Sequence, residues 1–112
     1  MRVYVAGPLT KGDTTINVRK AIDAAETLLR LGFIPYCPHL THFWHLIYAH
    51  DWNTWLTLDE GWLKVCHAVL RLKGESKGAD REVKLARKLK IPVFHSIYAL
   101  KKYRENLKQG WH

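Results

Sequence analysis

The sequence predicts an α/β chain: a single doubly wound domain over residues 1–112, with a parallel sheet of four to five strands flanked by helices. Three observations lead there. Short runs rich in Val, Ile, Tyr and Phe recur at 2–6, 33–36, 68–72 and 91–94 and read as strands. Segments whose apolar residues fall three and four apart separate those runs and read as amphipathic helices. A strand, a helix and a further strand in that order require a right-handed crossover and parallel pairing.

Each element has a local reason. Residues 2–6 form a short buried strand that Gly7-Pro8 ends. Gly12-Asp13-Thr14 offers a turn and a helix N-cap. The apolar positions 18, 21, 22, 25, 28 and 29 then keep helical spacing until Gly32 supplies a stop. Phe33-Ile34-Pro35-Tyr36 is the second strand. Residues 37–52, with four histidines and two tryptophans, show no period. Residues 53–65 read as a helix with Trp55, Leu58, Trp62 and Val65 on one stripe. Ala68 to Leu72 is the third strand, and the loop from Gly74 to Gly78 leads into a helix over about 79–89. Ile91 to Phe94 is the fourth strand, and a last helix runs from about 97 to 108. In such flavodoxin-like or Rossmann-like sheets the site lies at the carboxyl ends of the strands. Here that means the loops after Ala6, Tyr36 and Leu72.

The 112 residues suit one core rather than two. No apolar run reaches the roughly 18 residues that span a membrane. The apolar stretch at the N-terminus is too short for a signal peptide, so the expected location is the cytoplasm. Cys37 and Cys66 are the only cysteines and are expected to be free thiols. The net charge of +8 suits a polyanion or a phosphorylated small molecule, although its lysines and arginines are spread over helix faces such as Arg87-Lys88 and Lys101-Lys102.

Two carboxylates stand apart from that surface. Glu82 falls beside Ala79 and Val83 on the apolar stripe that continues through Ala86 and Leu89. It also lies near a helix start, where the macrodipole favours a carboxylate by about 0.3–1 kcal/mol. Such a group suits a nucleophile; its position equally fits a residue that only caps the helix. Asp59 lies four residues after Trp55 and three before Trp62. A carboxyl against apolar rings tends to a raised pKa, as a general acid needs, but a flanking Asp that reaches water has the same spacing. Cleavage of a glycosidic bond uses such a pair, one at the oxocarbenium-like centre and one on the leaving group. The loop Gly74-Glu75-Ser76-Lys77-Gly78 adds a hydroxyl, an ammonium and a helix start, all of which suit a phosphate; it lacks the Walker A spacing.

Tyr4-Val5-Ala6-Gly7-Pro8, then Asp59-x-x-Trp62-Leu63, a strand after Cys66, and Gly74-x-Ser76-x-Gly78-x-x-x-Glu82 with Ala86 together resemble the nucleoside 2-deoxyribosyltransferase superfamily. Within it they look most like the small 2'-deoxynucleoside 5'-phosphate N-hydrolases and related phage and bacterial proteins. The resemblance spans about residues 3–94. It implies Glu82 as the nucleophile on the sugar C1', Asp59 as the group that orients the sugar or assists the base, and Tyr4 as the neighbour of the nucleophile. It implies Ser76 as a contact of the 5'-phosphate, and a homodimer or larger homo-oligomer. Gly7, Pro8, Thr10, Gly74, Lys77 and Gly78 fall on the loops that would surround a nucleoside or nucleotide. The sequence departs from the pattern at Cys66-His67, where relatives often carry an Asp, and at Pro8 and Thr10, where phosphate-binding relatives carry a Ser and an Arg. Thr10, Lys11 or Lys77 would have to take over those contacts.

His39, His42 and His45 lie three apart with His50 and Cys37 nearby. That spacing matches no standard structural zinc pattern, and glycosidic chemistry of this kind requires neither metal nor cofactor. Their rings either line the pocket and stack on a base, with His39 the candidate for substrate contact, or pack beneath the domain or at a subunit interface. Trp111-His112 reads as peripheral or interfacial. The function expected is cleavage of an N-glycosidic bond in a nucleoside or nucleotide, by hydrolysis or deoxyribosyl transfer. A non-catalytic nucleotide-sensing module on the same fold is the alternative. A nucleic-acid binder is disfavoured, because no nucleic-acid-binding motif is present.

Overall fold

The structure, a computed structural model, describes residues 1–109. Four parallel strands, β1 (Arg2–Ala6), β2 (Ile34–Tyr36), β3 (Ala68–Arg71) and β4 (Val93–Phe94), pair in the order β2-β1-β3-β4. The helices between them are α1 (Thr14–Arg30), α2 (Thr41–Ile47), α3 (Trp52–Leu63), α4 (Lys77–Lys88) and α5 (Ile97–Gln109), with a single 3-10 turn at Pro38–Leu40. The expected parallel α/β sheet is present with four strands. Trp111 and His112 lie outside the described residues.

The alternation of side chains along the strands builds two cores. Val3, Val5, Ala68 and Leu70 point to one face and pack with Ala21 and Leu28 of α1 and Leu100 of α5. Tyr4, Ala6 and Val69 point to the other and pack with Leu63 of α3 and Ala79 and Ala86 of α4. Tyr4 therefore belongs to the face that carries α3 and α4, the helices of Asp59 and Glu82. This placement follows from its even position on β1.

Helix ends follow the expected chemistry. The Asp13 side chain accepts from the Ile16 N–H at the start of α1, and Ser76 Oγ accepts from Ala79 N–H at the start of α4. Gly32, with φ 87°, closes α1 in the left-handed region. Pro35 sits in β2, which is an edge strand, where a missing N–H is tolerated. Cys37 and Cys66 are both free and buried.

Two stripes differ from the sequence expectation. On α3 the buried residue is Leu63, whereas Trp62 is 50% and Val65 47% exposed. The helix ends at Leu63, so Val65 no longer keeps its phase, and the Trp62 ring lies flat on Tyr36 instead of turning inward. On α4, Leu89 is the C-cap residue and is exposed for the same reason. The segment without a legible period resolves into the 3-10 turn and the short α2, whose Phe43, Trp44 and Ile47 are exposed.

Candidate active site

β1 and β3 are neighbours, yet their following helices leave toward opposite faces and opposite edges. The loops after them diverge, and the crevice between is the topological switch point of the sheet. The register puts Ala6 beside Arg71 and Tyr4 beside Tyr36, so the three strand ends open on one place. A cavity of about 700 Å³ lies there. Asp59 from α3 and Glu82 from α4 both line it.

Burial governs both carboxyls. The Glu82 carboxyl is pushed up to about 8, first by burial and further by the charges of Asp59 and Glu60; Tyr4 and Arg71 pull the other way. Asp59 is pushed up to about 6 by burial, against a hydrogen bond from the Tyr36 hydroxyl to its Oδ1 at 3.1 Å. Coupled sites titrate as a pair, so the two carboxyls share one proton between about pH 6 and pH 8. Tyr4 is fully buried, and burial beside Glu82 drives its hydroxyl well above the ordinary tyrosine range. Tyr4 Oη and Glu82 Oε2 are buried without a hydrogen-bond partner among the described residues. The two groups are thus coupled neighbours that do not meet in hydrogen-bond geometry.

The remaining predicted residues divide into those that line the cavity and those that shape it. Gly7 and Thr10 from the first loop and Ser76, Lys77 and Gly78 from the third line it. Pro8 and Gly74 do not face it. A side chain on Gly74, which has φ 118°, would lie 2.7 Å from Pro8 Cγ, so these two hold the first and third loops in contact. His39 lines the cavity but is buried, with Nε2 at 3.1 Å from the Gly7 carbonyl and 2.9 Å from that of Pro8. Its ring nitrogen is committed to the first loop, and burial holds its pKa below the usual histidine value. It thereby ties the 3-10 turn to the β1 loop. Lys11 and Glu75, at 3.7 Å, span the mouth between the first and third loops.

A family model described as a domain of unknown function (DUF7768) matches residues 1–96, most of the chain. The chain belongs to the DUF7768 family. No curated protein matches this DUF7768 sequence. Among solved structures, the 2-deoxyribosyltransferase of the psychrotolerant bacterium Bacillus psychrosaccharolyticus is similar, with a TM-score of 0.68 and 18% identity over 83% of this chain and 69% of that one. The DUF7768 chain thus has the fold of that enzyme.

Several cavity features of this DUF7768 chain escaped sequence reasoning. Tyr36 holds Asp59 and stacks between Tyr4 and Trp62, at 5.5 and 5.6 Å between ring centroids. Its place as the last residue of a strand was the available signal, since such positions face the site in these sheets. Trp55, His45 and His50 form a wall of edge-to-face rings, with Trp55 at 5.7 Å from His45 and 5.2 Å from His50. No sequence period links the end of α2 to the start of α3, so that wall was not legible. Among the described residues no group of three His, Cys, Asp or Glu side chains is placed to hold a metal ion.

Proposed function

We propose that this chain cleaves the N-glycosidic bond of a nucleoside or nucleoside 5'-monophosphate, with Glu82 as the nucleophile. The observation that carries the reading is the pair of enclosed carboxyls, Glu82 and Asp59, lining one cavity at the switch point of the sheet. A Glu82 oxygen attacks C1' while the C1'–N bond breaks, and its electron pair leaves with the base. The proton shared by the pair goes to the base from Asp59. Glu82, with the higher pKa of the two, prefers to hold that proton before substrate binds. Positive charge developing at C1' favours the Glu82 anion and so moves the proton preference toward Asp59. The resulting ester is then opened, by water in a hydrolase or by a second base in a transferase, with Asp59 accepting the proton released. Tyr4, coupled to Glu82, supplies a hydroxyl to the ionised carboxylate once the side chains close on each other.

Support for a sugar-phosphate end comes from Ser76, Lys77, Gly78, Thr10 and Lys11, which line the cavity from the first and third loops. A backbone N–H start of α4 and two ammonium groups suit a 5'-phosphate. The likeness of fold to a 2-deoxyribosyltransferase supports the same class of chemistry. Within this reading the chain acts as one domain in the cytoplasm, as a homodimer or larger homo-oligomer.

Incubation with a panel of 2'-deoxynucleosides, ribonucleosides and their 5'-monophosphates, with and without an acceptor base, tests the proposal. Release of free base by chromatography is the expected result. A new nucleoside in the presence of acceptor assigns transfer, and its absence assigns hydrolysis. Release from no member of the panel would refute the proposal.

A further inference from the structure

The aromatic wall of the cavity has its polar atoms arranged unevenly. The Trp55 indole N–H donates to His45 Nδ1 at 2.8 Å, and the His50 backbone N–H donates to the same atom at 3.2 Å. Two donors converging on one ring nitrogen require a lone pair there, so in the neutral imidazole the proton sits on Nε2. His45 lines the cavity, and its Nε2 makes no hydrogen bond among the described residues. Two polar neighbours on this wall are committed elsewhere. The Thr41 hydroxyl donates to the Pro38 carbonyl at 2.7 Å, and His39 binds the Gly7 and Pro8 carbonyls. His42 and His50 also line the cavity, but among the described residues no hydrogen bond fixes the proton on either ring, so they can meet either kind of base edge.

Trp55 and Asp59 are four residues apart on α3, about 6 Å along its axis. A base with its glycosidic nitrogen near Asp59 spans most of that distance. Asp59, Glu82, Trp55 and His45 line one cavity, so in the nucleoside reading, with the scissile bond at the two carboxyls, the far edge of the base is directed toward the wall of Trp55 and His45.

We infer that His45, locked as an Nε2–H donor by Trp55, reads the far edge of the base and selects 6-oxopurines and 4-oxopyrimidines over the corresponding amino bases. This rests on the nucleoside reading of the cavity. An oxo group accepts from Nε2–H, whereas an exocyclic amine in the same place sets donor against donor, and the neighbouring lone pair of adenine N1 or cytosine N3 reaches Nε2–H only if the base shifts from that position. An unmet buried donor costs about 1–3 kcal/mol, so discrimination of about 10-fold or more follows.

Binding of free bases separates this inference from the catalytic one, because the chain cannot cleave them. Dissociation constants are measured by calorimetry or NMR titration for hypoxanthine against adenine and for uracil against cytosine. The expected result is tighter binding of both oxo bases by about 10-fold. In His45→Phe, and in His45→Gln, whose amide can rotate to offer either edge, the preference should fall to within about threefold. Equal binding of oxo and amino bases by the wild type, binding of neither, or a preference that survives in His45→Phe overturns the inference. Oxo preference without base release from any nucleoside leaves the inference standing and refutes the glycosidase proposal instead.

Discussion

The stability of Glu82→Gln relative to the wild type should rise with pH. Burial raises the folded-state pKa from 4.5 to about 8. The folded state therefore holds the Glu82 proton more tightly than the unfolded state does. Between those two values the unfolded chain binds fewer protons, so the stability supplied by the protonated carboxyl is fully present below about pH 4.5 and is lost as pH rises toward about 8. At about 1.36 kcal/mol per pH unit, the part of that loss falling between pH 5 and pH 8 is on the order of 3 kcal/mol. Gln keeps the shape and does not titrate, so the variant should lack this component. Any fixed cost of the buried amide is the same at both pH values and cancels from the comparison. For a chain of this size that difference corresponds to roughly 10 °C in Tm. The assay is thermal or urea unfolding of wild type and Glu82→Gln by circular dichroism at pH 5 and pH 8. The variant should gain on the wild type by about 3 kcal/mol between the two conditions. Stability curves that stay parallel across that range would refute the enclosed, proton-holding Glu82 on which the site rests.

Other perturbations have defined outcomes. The pH profile of kcat/KM should be bell-shaped with limbs near 6 and 8, because the pair must hold one proton; a flat profile across that range would contradict the shared-proton pair. Tyr36→Phe removes the hydrogen bond that lowers the Asp59 pKa, so the lower limb should move upward, by about one pH unit, and an unmoved limb would exclude Tyr36 as the group that sets it. Gly74→Ala puts a Cβ 2.7 Å from Pro8 Cγ at a positive φ, and should cost about 1–3 kcal/mol in denaturant unfolding; an unchanged midpoint would show that the two loops do not depend on that contact.

The fold was legible where short-range physics decides it. Strand runs bounded by Gly7-Pro8 and Gly32, the Asp13 cap and the strand-helix alternation all correspond to observed elements. The carboxylates were legible for a related reason: Glu82 and Asp59 break the polarity of an apolar stripe, and a one-helix pattern records that. What was not legible depends on contacts between elements. Trp62 and Tyr36 are distant in sequence and settle each other's rotamers by stacking, which turned Trp62 away from the stripe to which its spacing assigns it. Pro8 and Gly74 are 66 positions apart and meet only because β1 and β3 are neighbours. His39 has the same character, since its partners are carbonyls of the first loop that no spacing identifies.

The most direct test of the account compares turnover and binding for Glu82→Gln on the nucleoside or nucleotide that the wild type cleaves best. Because the lost interaction belongs to the transition state, kcat should fall on the order of 10³-fold or more while Kd changes by no more than about threefold. Near-normal turnover in Glu82→Gln would contradict the account and reduce Glu82 to a buried residue of the first turns of α4.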